Sequence, residues 1–430
     1  MSTSQRMLAC VGAVALLLTG GPSFIATSAA STNNSVDRYS FEISSRVTER
    51  HSSGISVRER HVLAKEQTVD EKRVFKCGRE RATLVGSRSD DVITGTRGAD
   101  VIVARNGNDV VSGRGGSDII CTGRGRDHVR AGEGSDSVET GPGHDLIWGG
   151  LGDDSFHAGP GNDVARGGEG RSLQIGGPGR DRMFGGPSSD NFESTGRDWS
   201  ADVDLFVGRS GSDSFSADPG DDVFDGGPGA DELYYFHSPN GVDIDLSAGT
   251  ATGDGFDVLL SINDVVGSRH DDIIRGNRWR NDIFSAPGND IVYGLGGDDE
   301  LFDSGGGDRI KGGRGNDQLG TGFCTSSSNG PTTCQTDPPL PDILFGGPGN
   351  DQVGSGPGDD LLEGNSGDDL LFGGDGSDLI GGQAGDDDLH GGTAAGTRPN
   401  ADDGVHDDLD GGSGTDQCRG RDDTFTNCEQ

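Results

Sequence analysis

Aspartate recurs at every ninth residue over most of this chain, and that spacing decides which chemistry to consider first. The series opens with Asp91, Asp100, Asp109, Asp118, Asp127, Asp136, Asp145, Asp154 and Asp163, lapses once at Ser172, and resumes in phase at Asp181 and Asp190. Asp204, Asp213, Asp222 and Asp231 keep the spacing, as do Asp272, Asn281, Asp290, Asp299, Asp308 and Asp317. A further run holds Asp342, Asp351, Asp360, Asp369, Asp378 and Asp387, after which Asp407 and Asp416 close the series. Of 30 such slots, 28 are Asp, a phase that chance does not keep. An ionised carboxylate only accepts hydrogen bonds, so a periodic row of them is suited to holding hard cations.

The residues around each slot say what must position it. Two residues later comes a mostly apolar position, Ile93, Ile102, Val111, Ile120, Val129, Val138, Ile147, Phe156, Ala165, Gln174, Met183 and Phe192 in the first run. Two residues earlier is Gly in ten of those twelve repeats. Glycine allows positive φ and lets the chain reverse within a few residues. Nine residues then divide into a tight turn and a short strand whose apolar residue points inward. Two such units predict an 18-residue coil with one strand on each face, stacked on its neighbours at about 4.8 Å. Fifteen contiguous coils would span on the order of 70 Å.

In that geometry slots 18 apart, such as Asp109 and Asp127, lie above one another at one edge. Two bare carboxylates about 5 Å apart repel. A calcium ion between them reverses the sign, because it takes six to eight oxygens and the glycine turns expose backbone carbonyls to it. Seventeen pairs of slots 18 apart carry Asp at both positions. Residues 1–80 carry a net +3 and the remaining 350 carry −40, so seventeen divalent ions nearly cancel the charge of the repeat region.

Composition agrees. The 430 residues include 79 glycines, far above the roughly 7% of ordinary proteins, which excludes a conventional helical globule. The glycines do not fall at every third position, so a collagen helix is excluded as well. Only 30% of residues are hydrophobic, and any core must be thin and repetitive. With 72 acidic residues against 35 Lys plus Arg, the net charge is −37, and nucleic acid and anionic membranes are poor partners for such a surface.

The hexapeptides Gly149-Gly150-Leu151-Gly152-Asp153-Asp154, Gly176-Gly177-Pro178-Gly179-Arg180-Asp181, Gly226-Gly227-Pro228-Gly229-Ala230-Asp231, Gly312-Gly313-Arg314-Gly315-Asn316-Asp317, Gly346-Gly347-Pro348-Gly349-Asn350-Asp351 and Gly373-Gly374-Asp375-Gly376-Ser377-Asp378 all read GGxGxD. In this the chain resembles the haemolysin-type calcium-binding repeat, or RTX, family. The resemblance implies an all-β fold, a parallel β-roll or right-handed β-solenoid of 18 residues per coil, in several blocks. It also implies multiple calcium ions, held by the slots from Asp91 to Asp163, by Asp181, by Asp204 to Asp231, by Asp272, by Asp290 to Asp317 and by Asp342 to Asp387. Carbonyls of the neighbouring glycine turns would complete each shell. Ser172, Asn281 and the first turn, Gly86-Ser87-Arg88-Ser89, depart from the pattern.

The rest of the chain divides around these runs. Residues 1–30, with Arg6, the apolar run Met7 to Leu18 and small residues near Ser28-Ala29-Ala30, read as a signal peptide; about 12 apolar residues fall short of the ~20 of a membrane span. An exported, extracellular protein without membrane insertion is the expectation. Residues 31–76 read as a flexible leader or propeptide. The expected blocks are a first roll at 77–193, a second at 194–236, a β connector at 237–267, a third at 268–320, a disulfide loop at 321–341, and a fourth roll at 342–430 that ends in a disulfide cap. Within the connector, Asn240 to Gly267 reads as a strand pair interrupting the roll. Beyond Cys10 there are six cysteines, an even number that fits disulfides in an exported chain. Fifteen pairings are open; Cys324 with Cys334 and Cys418 with Cys428 are near neighbours, which leaves Cys77 with Cys121. No CxxC motif supports a zinc site.

No catalytic motif accompanies the repeats. There is no HExxH, no GxSxG (Gly170-Arg171-Ser172-Leu173-Gln174 lacks the last glycine) and no EF-hand loop. Acid pairs such as Asp359-Asp360 belong to the repeat itself. The expectation is a non-enzymatic, exported calcium-binding protein with a structural or adhesive role and an unidentified cell-surface or matrix partner. The alternatives are a haemolysin or toxin-associated protein, or an enzyme of unfamiliar motif.

Overall fold

The computed structural model describes residues 60–63, 75–193, 202–321, 324–325, 333–334, 340–392, 406–420 and 423–429. The chain divides into two units between Val57 and Arg58, and all of these residues lie in the second. Residues 1–30, expected to be a signal peptide, and most of residues 31–76, expected to be a leader or propeptide, fall outside the described residues.

Glycine sets the chain reversals. Gly150, in the last part of the strand Leu146–Leu151, lies at φ 121° and Gly152 after it at φ 117°, a left-handed backbone that reverses the chain before the strand Asp154–His157 begins. Strands fall alternately into two sheets. In one, Val110–Gly115 pairs in parallel with His128–Glu133, placing Val111 opposite Val129. In the other, Ile119–Cys121 pairs in parallel with Ser137–Glu139, placing Ile120 opposite Val138. The register of 18 residues is thus the coil length, and the chain is a parallel β-solenoid. The second sheet has 17 strands, from Leu84–Val85 to Gln417–Arg419, more than the fifteen coils expected from the slots. The two additional strands, Leu84–Val85 ahead of Asp91 and Asp264–Val266 in the connector, follow no slot of the nine-residue series, which is why the slot count falls short.

The core is two files of side chains between the sheets, one file from each sheet. All twelve inward positions foreseen in the first run, from Ile93 to Phe192, are buried. Where the files turn aromatic, Phe192 stacks on Phe215 at 5.0 Å and Phe206 on Phe224 at 5.3 Å, with edge contacts between the two stacks. Each strand contributes about one such residue, which is all the chain's hydrophobic content allows.

Asn240 to Gly267 differs from the expected strand pair. It holds four short strands, Asp243–Asp245, Thr250–Thr252, Phe256–Leu260 and Asp264–Val266. The first three form an antiparallel meander whose outer strands join the sheet on both sides, Leu259 opposite Phe224 and Ile244 opposite Ile274. In the other sheet Val265 lies between Leu233 and Ile283. An interruption would leave two open parallel edges with unpaired N–H and C=O groups; the meander pairs both. The solenoid therefore runs through the connector.

Cys77–Cys121 and Cys418–Cys428 are disulfides, with Cα atoms 5.6 and 5.8 Å apart. Cys324 lies opposite Cys334 in a two-residue antiparallel pair, and their side chains fall outside the described residues.

Candidate metal centre

Each slot aspartate is aimed by the strand that begins at or just after it. From Asp109 onward its Oδ1 accepts the backbone N–H of the slot residue one coil earlier: Asp91 donates to Asp109 at 2.8 Å, Asp109 to Asp127 at 2.8 Å, Asp127 to Asp145 at 2.7 Å, and, on the opposite edge, Asp118 to Asp136 at 2.7 Å. The same bond spans the interruptions, from Asp181 to Asp204, Asp308 to Asp342, Asp317 to Asp351 and Asp387 to Asp416. Stacking, not sequence separation, defines the pairs, so counting only steps of 18 misses those that span an insertion.

The second oxygen is left over. The Oδ2 atoms of Asp109, Asp127, Asp145 and Asp163 on one edge, and of Asp118, Asp136 and Asp154 on the other, are buried without a hydrogen-bond partner. A methyl group built on Gly113 would collide with Asp118 Oδ2 and with the Ala131 carbonyl oxygen, and one on Gly149 with Asp154 Oδ2 and the Gly167 carbonyl oxygen. Carboxylate and carbonyl oxygens from adjacent coils thus converge on a point that only glycine leaves clear. Converging acceptors with no donor are costly to bury, and a cation relieves that cost. All the donors are hard oxygens, the set calcium prefers.

Electrostatics points the same way. Burial pushes Asp109 up to about 7, and the carboxylates of Asp127 and Asp91 push in the same direction against the lowering effect of the Asp91 N–H. Asp154 and Asp163 likewise rise to about 7, and Asp181 to about 9, each chiefly through burial.

The family described as RTX calcium-binding nonapeptide repeat (4 copies) matches residues 85–120, 94–129, 122–156, 130–165, 157–192, 200–233, 284–319, 341–362 and 363–397, together more than half of the chain. The chain belongs to the RTX calcium-binding repeat family. No curated protein sequence matches it. The fit of an RTX assignment to the converging oxygens makes this a calcium-binding repeat protein.

All 25 aspartates named from the RTX resemblance are buried along the edges of the roll. The lapse at Ser172 breaks the pattern locally. The Asp154 N–H turns to the Arg171 carbonyl, and Gln174 enters the core, where its Nε2 donates to Ser172 Oγ and to the Phe184 carbonyl. At Asn281 the Nδ2 group donates to the Asn263 carbonyl, a donor where a cation site needs an acceptor.

Other slot residues escaped the sequence reading. In the connector Asp257 and Asn263 take slot positions, accepting from the N–H of Asp222 at 3.0 Å and of Asp231 at 3.1 Å. Gly255, two residues before Asp257, was the available signal. Asp190, Asp407 and Asp416 are slots that were not carried into the ligand set, yet they make the same backbone bonds. Asp218 and Asp303, off the nine-residue phase, reach slot carboxylates from within their turns.

Proposed function

We propose that this protein is an exported scaffold, folded by calcium held at the slot aspartates, with an adhesive role toward an acidic polysaccharide of a cell surface or matrix. One observation carries the adhesive reading. On the outer face of one sheet, strand neighbours bring Arg130, Trp148, Arg166 and Phe184 into a row, and later Arg275, Tyr293, Lys311 and Phe345 into a second row of the same alternation.

The rows are built for anionic sugars. Arg130 lies 5.3 Å from the Trp148 ring centre and Arg166 5.1 Å from that of Phe184, so rings hold the guanidinium groups along the sheet. Like groups recur every second strand, about 10 Å apart. Arg275 is also paired with Asp243, while Tyr293, Lys311 and Phe345 line a groove of about 630 Å³. A linear polymer of acidic sugars offers anions to the cations and apolar ring faces to the aromatics. Such a row of cations on so acidic a chain marks a surface with a specific task.

Retention of the calcium-loaded protein on an immobilised sulfated polysaccharide, compared with a neutral one, tests this. Salt-sensitive retention is expected, falling on the order of tenfold in the triple variant Arg130→Ala, Trp148→Ala, Arg166→Ala. Equal behaviour on both matrices overturns the adhesive reading, and dye release from lipid vesicles would favour the toxin-associated alternative.

A further inference from the structure

Two places along the roll carry a third carboxylate. Asp204, Asp218 and Asp222 bring one ligand oxygen each within 4.8 Å of one another, and so do Asp290, Asp303 and Asp308. In each group two members are slot aspartates on adjacent coils. The third occupies a turn position where regular repeats have glycine: Asp218 four residues before Asp222, and Asp303 five residues before Asp308. Asp303 is fully buried, accepting from Ser285 Oγ at 2.7 Å and from the Gly305 N–H.

Both groups contain buried carboxylate oxygens with nothing to bond. The Oδ2 atoms of Asp222, Asp290 and Asp308 have no hydrogen-bond partner, in side chains at most 1% exposed. The charges that act on Asp222 are the carboxylates of Asp218, Asp204 and Asp257; those on Asp290 are Asp303 and Asp272. Three carboxylates so close together, all buried in one group and with only Asp218 half-buried in the other, are a large desolvation cost unless a cation lies among them.

Their place in the coil sequence is the second regularity. Slot contacts normally step by 18 residues, but the Asp222 N–H reaches Asp257, 35 residues on, and the Asp308 N–H reaches Asp342, 34 residues on. On the opposite edge the same two insertions are crossed from Asp231 to Asn263, 32 residues on, and from Asp317 to Asp351, 34 residues on; among the described residues neither these steps nor those of 23 and 29 carry a third carboxylate. Each third carboxylate thus sits in the coil just before a long insertion, where closing the next coil costs the most chain entropy.

We propose that Asp204, Asp218 and Asp222, and Asp290, Asp303 and Asp308, form two calcium sites of higher affinity than the two-aspartate sites, which fill first and clamp the roll across its two long insertions. The inference rests on calcium binding at the slots. The third carboxylate adds a charged ligand where other turns offer a neutral carbonyl, and charge count is one of the factors that set calcium affinity in oxygen sites.

The experiment is a calorimetric calcium titration of the full chain, run beside limited proteolysis within residues 237–267 and 321–341 at low calcium. Asp218→Gly and Asp303→Gly restore glycine to the turn, and Asp218→Asn and Asp303→Asn keep the shape while removing the charge. The expected result is that each substitution removes one tight site, weakening it on the order of tenfold or more, and that its own joint becomes cleavable at calcium levels that protect the wild type. At saturating calcium, circular dichroism should match the wild type. Wild-type uptake with superimposable titrations in the double Asn variant overturns this proposal alone, whereas a wild-type chain that takes up no calcium sinks the slot reading with it.

Discussion

At the scale of the residue, one carboxylate does two jobs. In a regular slot such as Asp127, Oδ1 ties its coil to the previous one by accepting a backbone N–H, and Oδ2 is left without a hydrogen-bond partner. Replacing Asp by Ser, as at residue 172, removes both. The same geometry sets the pH response. Burial raises Asp109 and Asp163 to about 7 from an ordinary 3.8, so without calcium the folded chain binds more protons than the unfolded one between those values. Stability contributed by these groups is full below about pH 4 and is lost as pH rises through about 7. With calcium bound the carboxylates must be ionised, so acid competes with the ion and stability should rise with pH. Thermal melts from about pH 5 to about pH 8 should therefore slope in opposite directions in chelator and in calcium. Parallel slopes would show that the slot carboxylates do not hold the ion.

Individual elements show what the stack imposes on the chain. At several turns the position four residues before a slot takes a left-handed backbone although it is not glycine: Arg105 at φ 89°, Arg114 at 82°, Leu295 at 76°, Asn365 at 79° and Gln383 at 73°. Such residues do not choose that conformation locally, at a cost of about 1–2 kcal/mol each. Pairing with the coils on either side imposes it. Leu295 has an exposed side chain and little packing to lose. Leu295→Gly should thus stabilise the calcium-loaded protein by about 1 kcal/mol, read as a rise in Tm. A fall in Tm would mean that Leu295 contributes packing the turn needs.

Along the solenoid, the proposed role of calcium is to stand in for a core. The files of inward side chains hold one residue per strand, while the repeat region carries −40. Self-repulsion of that size outweighs so thin an apolar interior unless cations lie between the coils. On chelation near neutral pH the β signal in circular dichroism should be lost and the radius of gyration by small-angle scattering should increase, both returning on adding calcium. Unaltered compactness in excess chelator would remove calcium from the account of folding. The two disulfides, Cys77–Cys121 near the first coils and Cys418–Cys428 near the last, close local loops of 44 and 10 residues and should limit the expansion of those segments alone in that state.

The nine-residue period alone determined the coil length, the inward face and the edge on which each slot aspartate lies, because side-chain direction in a strand and turn geometry at glycine are local properties. Ile93 to Phe192 and the slots from Asp91 to Asp387 were legible for that reason. What lies beside what across a break in the period was left to the tertiary structure. The contacts of Asp222 with Asp257 and of Asp308 with Asp342, the meander that carries the sheet through residues 243–260, and the third carboxylates Asp218 and Asp303 arise from backbone pairing between coils. Pairing follows hydrogen-bond register in space, and an insertion changes the sequence separation without changing that register.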